Sequence, residues 1–161
     1  MKYVPRIVDK TIDQRTKAFN AINILGPRGC GKTRTAKERC KTFIEFQDED
    51  KRAGYLAVAD VSPKLFFDNP KPILFDEWQD APKIWGAVRK DCDDRPEVSG
   101  EFFLTGSTRR RGETPHTGTG RISEMIKYPM VLFETGDSNG SISFPRSLTI
   151  PTLRLQENCP A

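Results

Sequence analysis

Residues 26 to 33 read Gly26-Pro27-Arg28-Gly29-Cys30-Gly31-Lys32-Thr33, and the fold turns on how this stretch is read. It fits the pattern G-x-x-x-x-G-K-[ST] at every specified position. Its glycines let the backbone fold back until several N–H groups converge on one anion. Lys32 then reaches the outer phosphates, and the Thr33 hydroxyl ligates the magnesium that travels with them. Arg34 follows directly and is counted with the loop as lining the phosphates. The flanks decide whether the match has meaning, because such a loop must join a buried strand to a helix. Ala21-Ile22-Asn23-Ile24-Leu25 precedes it, a short and mostly apolar run suited to a core strand. After it, Ala36, Cys40, Phe43 and Ile44 recur at helical spacing, while Arg34, Lys37, Arg39 and Lys41 face elsewhere. This predicts a helix whose N-terminal dipole points at the phosphates.

The chain has 161 residues, enough for one domain with its own core. A formal charge of +4 and a pI near 8.9 suit a nucleotide binder, and permit nucleic-acid contact without indicating it. No apolar run approaches the length that spans a bilayer, which argues against a membrane protein. The opening Met1-Lys2-Tyr3-Val4-Pro5-Arg6 lacks the apolar segment of a secretory signal. Cys30, Cys40, Cys92 and Cys159 are widely spread with no C-x-x-C pair, and His116 is the single histidine, so no metal-ligand set is visible. A reduced, cytoplasmic setting is the simplest expectation.

Downstream of the loop, Lys71-Pro72-Ile73-Leu74-Phe75-Asp76-Glu77 describes a buried parallel strand whose carboxyl end carries adjacent acids. Asp76 is placed to hold the magnesium shell, directly or through water. Glu77 stands one step further out, where a carboxylate polarises the water that attacks a terminal phosphate. The bland alternative is a strand ending in a polar turn. Glu101-Phe102-Phe103-Leu104-Thr105-Gly106-Ser107 repeats that logic, and Thr105 or Ser107 is a candidate to sense the γ-phosphate or orient the attacking water. For each hydroxyl, closing a strand-to-loop turn is the competing account. Arg121 follows the turn Gly118-Thr119-Gly120 and is a candidate to stabilise transferring charge, in cis or from a neighbouring subunit; an ordinary salt bridge competes.

The remaining stretches are less specific. Asp9 to Phe19 is polar and weakly helical, and Pro5, Arg6 and Ile7 are candidates for the adenine side of the pocket or for plain packing. Thr42 to Gln47 reads as a short second strand overlapping the helix end. Asp48 to Phe67 reads as helix divided at Pro63. Asp80 is expected to cap a helix carrying Ala81, Trp85, Val88 and Cys92 on one apolar face. Arg109-Arg110-Arg111 lies in a polar, glycine-rich loop and gives weak support for nucleic-acid contact. Tyr128 to Glu134 reads as the last core strand, and residues 141–161 as a tail.

Taken together, these stretches resemble the N-terminal ATPase domain of a family of prokaryotic AAA-type ATPases, whose usual members add a C-terminal region of unknown function. The resemblance covers roughly residues 3 to 140. It is carried by Tyr3-Val4-Pro5-Arg6-Ile7-Val8-Asp9, the loop, Phe46-Gln47-Asp48, Phe75-Asp76-Glu77-Trp78-Gln79-Asp80-Ala81-Pro82, Leu104-Thr105-Gly106-Ser107, Gly118-Thr119-Gly120-Arg121-Ile122 and Tyr128-Pro129-Met130. It implies a three-layer αβα fold of the P-loop NTPase type, with a central, mostly parallel sheet of about five strands. It also implies ATP with Mg2+ and hydrolysis using Asp76, Glu77 and Arg121, with Lys32 on the phosphates. Family members are usually more than twice this long, so a truncated form is expected: an ATP-binding domain over 1–140, a tail over 141–161, and no lid or C-terminal region. The leading expectation is an ATPase module that drives conformational change in a protein partner or a missing domain, with self-association through the ATPase domain. The alternatives are a hydrolytically inactive nucleotide-binding module and a small-molecule kinase. The adjacent Asp76-Glu77 pair favours hydrolysis over transfer to an acceptor.

Overall fold

A computed structural model of the chain describes residues 2–107 and 120–141. In order, it contains α1 (Val8–Ala18), β1 (Ala21–Gly26), α2 (Lys32–Lys37), β2 (Thr42–Glu45), α3 (Arg52–Val61), a 3-10 turn at Pro63–Asp68, β3 (Ile73–Asp76), a second at Trp78–Asp80, α4 (Lys83–Asp94), β4 (Phe102–Ser107) and β5 (Ile122–Ile126). The strands form one sheet in the order β2-β3-β4-β1-β5, and every pairing is parallel. Parallel strands need crossovers, and crossover helices cover both faces of the sheet. The result is a three-layer α/β fold of the P-loop NTPase type.

The strand sequences explain why both faces are covered. Side chains alternate across a sheet, yet the central strands are apolar at nearly every position. Ile73, Phe75, Phe102 and Leu104 pack on one face with Ala59 of α3 and Trp85 and Val88 of α4. Ile22, Ile24, Leu74 and Phe103 pack on the other with Ile12 of α1 and Ala36 of α2. Phe75 sits among aromatic rings, with those of Phe66, Phe67 and Phe102 centred 5.9, 6.2 and 6.3 Å from its own. The expected α4 stripe of Ala81, Trp85, Val88 and Cys92 is buried.

Three expectations are corrected. The helix after the loop ends at Lys37, after six residues. Phe43 and Ile44 belong instead to β2, where Ile44 pairs with Phe75 and is buried while Phe43 points out beneath the Lys37 ammonium. A strand alternation had coincided with helical spacing. The fifth strand is Ile122–Ile126 rather than Tyr128 to Glu134, because Ile122, Ser123 and Met125 turn inward beside β1, whereas Tyr128 and Val131 to Phe133 are exposed. Asp80 does not cap α4; its carboxylate accepts from Arg52 at 3.1 Å.

The chain divides into two compact units, Met1–Pro129 and Met130–Ala161. Over its described residues the second unit holds one short helix, α5 (Leu132–Thr135). Arg109 to Arg111, His116, Gly118, Thr119 and residues 142–161 lie outside the described residues, so the nucleic-acid expectation has no structural counterpart. Among the described residues no helix is long and apolar enough to cross a membrane.

One charged cluster ties the start of β4 to its neighbours. Glu101 accepts from Arg95 at 2.6 Å and Lys71 at 2.5 Å. Burial pushes its carboxyl up, but the two cations outweigh burial and hold it below the ordinary range. A depressed carboxyl stabilises the fold above its unfolded value, about 4.3, and that contribution is lost as pH falls below it. The urea midpoint should therefore drop as pH is lowered from about 5 to below about 4, and Glu101→Gln should flatten the drop. Phe75→Ala should cost about 3–5 kcal/mol in the same assay at neutral pH. Phe43→Ala, at a half-open site, should cost less than about 1 kcal/mol.

Candidate functional site

The loop of residues 26–31 leaves the carboxyl end of β1, which lies between β4 and β5. Gly26 is required by close approach, since a β-carbon there would stand 2.3 Å from the Lys127 carbonyl oxygen. Gly31 is required by conformation, with φ at 87° just before α2 begins. Pro27, Arg28 and Gly29 form an exposed rim, while Cys30 turns inward and is buried. Lys32 is 5% exposed, and its Nζ donates to the Gly26 and Pro27 carbonyls at 3.0 and 3.1 Å. An ammonium has three donors, so one remains for an anion in the loop.

The sheet brings the predicted acids to the same edge. Thr33 Oγ1 donates to Asp76 Oδ1 at 2.7 Å. Thr105, directly opposite Asp76 in the β3–β4 register, donates its hydroxyl to the same oxygen and accepts from the Glu77 backbone N–H at 3.3 Å. Asp76 is 9% exposed and Thr105 fully buried. A buried carboxylate is tolerated when hydrogen bonds satisfy it, and these two hydroxyls do so. Thr105 thus holds the Asp76–Glu77 corner. Ser107 lies exposed at the end of β4, in register with Gly26.

Glu77 is the one residue other than glycine with positive φ among the described residues, at 54°. Such a backbone costs on the order of 1–3 kcal/mol and persists where its surroundings impose it. Here it turns the side chain out of the strand direction, and the carboxylate accepts from the Gln79 amide. Gln79 and Trp78 fold back over Gly106, where a β-carbon would meet Gln79 Oε1 at 2.7 Å and Trp78 Nε1 at 3.2 Å. Trp78 stacks in turn on Trp85, with ring centres 4.8 Å apart.

Two further basic groups reach the loop from the side of β5. Arg6 donates to the Cys30 carbonyl at 3.3 Å and to the Tyr128 carbonyl at 3.1 Å. It is held in place by Asp9, which accepts from the Arg6 N–H at 2.7 Å and from the Tyr3 hydroxyl at 2.8 Å. Lys127 is 1% exposed, and its N–H donates to the Leu25 carbonyl at 2.7 Å. Arg6 carried a tentative place beside the pocket in the sequence, within Pro5-Arg6-Ile7, but Lys127 and Gln79 carried no signal of their own.

The remaining candidates lie apart. Arg34 is on the outer side of α2, paired with Glu38 at 2.8 Å. Arg121 precedes β5, so it sits at the amino edge of the sheet, opposite the loop. About five strand residues separate it from that edge, or roughly 16 Å. It is 55% exposed and pairs with Asp93, lowering the Asp93 carboxyl. Burial pushes the Cys40 thiol to about 12 and the Cys92 thiol to about 11, well away from thiolate at neutral pH.

No curated protein matches the chain significantly. A family model described as an AAA domain matches residues 18–135, which span β1, the loop and every strand of the sheet. That match covers most of the chain, and nucleotide binding comes with it. The protein belongs to the AAA domain family.

Proposed function

We propose that this protein binds ATP with magnesium in the loop of residues 26–33 and hydrolyses it to ADP and phosphate. The observation that carries the reading is the 2.7 Å hydrogen bond from Thr33 to Asp76, which joins the phosphate loop to the acidic end of β3. A hydroxyl and a carboxylate oxygen in that relation are hard oxygen donors of the kind magnesium takes. Thr33 and Asp76 would therefore hold the cation, which supplies positive charge to the outer phosphates when bound. Lys32 contributes a second positive charge by turning from the Gly26 and Pro27 carbonyls to the phosphate oxygens. Thr105 keeps Asp76 and the Glu77 backbone in place.

Hydrolysis forms a bond from a water oxygen to the terminal phosphorus and breaks the bond to the leaving ADP oxygen. Glu77 is the group available to take the water's proton, once its carboxylate is aimed by the Gln79 amide. The location of Arg121 at the far edge of the sheet argues against service to its own loop. Its exposure supports service to the loop of a neighbouring copy, where a guanidinium would stabilise charge on the transferring phosphate. The energy of turnover would then be coupled to contacts between copies or with a protein partner.

Lys32→Ala should weaken MgATP binding by about 100-fold or more, read by titration calorimetry. Undiminished affinity would remove the site assignment. Glu77→Gln should keep binding and lose about 10²–10⁴-fold in phosphate release. Binding with no release in the unmodified chain would leave a nucleotide-dependent interaction module. Arg121→Ala should bind nucleotide but turn over slowly, and mixing it with Lys32→Ala should restore part of the rate, since each copy then supplies what the other lacks. If mixing restores nothing, Arg121 is only the partner of Asp93.

A further inference from the structure

The β5 side of the loop carries more positive charge than the loop motif accounts for. Arg6 Nη1 stands 3.6 Å, and Lys127 Cε 3.7 Å, from the point where a β-carbon on Gly31 would be. Apart from the loop's own neighbours, no other described atom comes within 4 Å of that point. Two cationic side chains from distant parts of the chain therefore converge on one glycine of the phosphate loop. An anion seated against Gly31 would therefore meet both side chains, and Gly31 is the position where the absence of a side chain opens the loop to such an approach.

Strand order says which part of a nucleotide would lie there. Asp76, Glu77 and Thr105 belong to β3 and β4, on one side of β1, and Lys127 follows β5 on the other. With the terminal phosphate toward β3 and β4, the inner phosphate and the nucleoside lie toward β5. We infer that Arg6 and Lys127 make a second cationic wall of the nucleotide site, which takes the inner phosphate and so sets nucleotide affinity rather than turnover. This rests on the proposed ATP site. It assigns Arg6 and Lys127 a role separate from that of Lys32, which lies across the loop on the Gly26 and Pro27 carbonyls. The Arg6 bridge from Cys30 to Tyr128 keeps the wall in register with the loop.

The test is calorimetric titration of the full chain with MgADP and MgATP, paired with steady-state phosphate release. Lys127→Met and Arg6→Gln should each weaken both nucleotides by a similar factor, about tenfold. The Michaelis constant should rise by that factor while kcat stays within about twofold, the reverse of Glu77→Gln. Lys127→Arg, which keeps the charge, should stay near the unmodified affinity. Unchanged affinity in both Lys127→Met and Arg6→Gln, with binding lost in Lys32→Ala, would overturn the wall and leave the ATP site standing. Unchanged affinity in Lys32→Ala as well would fault the ATP site itself. Should Lys127→Met fail to fold, Arg6→Gln decides: tenfold weaker binding supports the wall, and unchanged binding overturns it.

Discussion

The contact between the Thr33 hydroxyl and the Asp76 carboxylate is the constraint on which the rest of the structure depends. It joins two residues 43 positions apart, and it exists only if the phosphate loop and the end of β3 emerge at the same edge of the sheet. A sheet in which every strand runs the same way guarantees that. Between the two strands lies β4, whose Thr105 stands level with Asp76 and donates to the same oxygen. An ionised carboxylate this buried is costly unless donors surround it. The strand order β3-β4-β1 brings one donor from β4 and one from the start of α2, which follows β1, so topology and electrostatics require the same arrangement.

The site is organised across the sheet rather than along the chain. On the β3 and β4 side stand the carboxylates and the hydroxyl that holds them. On the β5 side stand Arg6 and Lys127. A polyphosphate lying across β1 would meet proton-accepting chemistry at one end and fixed positive charge at the other. Glu77 joins the first group at a local cost, because its left-handed backbone is imposed by the turn into Trp78–Asp80. Gln79 then secures the carboxylate, and Gly106 leaves the space that Gln79 and Trp78 occupy.

Much of this was legible in the sequence wherever a local pattern carries its own reason. The loop needs glycines where the backbone closes on an anion, and Gly31 takes the positive φ that reason demands. Ile73 to Phe75 is apolar on both faces because a central parallel strand is covered twice. The readings that failed were those resting on period alone. Cys40, Phe43 and Ile44 fit a helical spacing, but Ile44 pairs in the sheet with Phe75 and the backbone extends to allow it. Tyr128 to Phe133 is as apolar as a core strand, yet the place beside β1 belongs to Ile122–Ile126, whose Ile122, Ser123 and Met125 face the interior. A short apolar run states that it can be buried, and competition for a sheet edge decides which run is.

The sequence by itself determined the phosphate loop, the acidic end of β3 and the layered α/β class, since each is written in neighbouring residues and governed by local backbone chemistry. Only the tertiary structure decided that Thr105 serves Asp76, that Gln79 holds Glu77, that Arg121 stands at the wrong edge for its own loop, and that Arg6 and Lys127 meet at Gly31. Those relations join residues from two to 121 positions apart, and a charge buried beside a loop is recognised by the distance it keeps in space, which no spacing along the chain encodes.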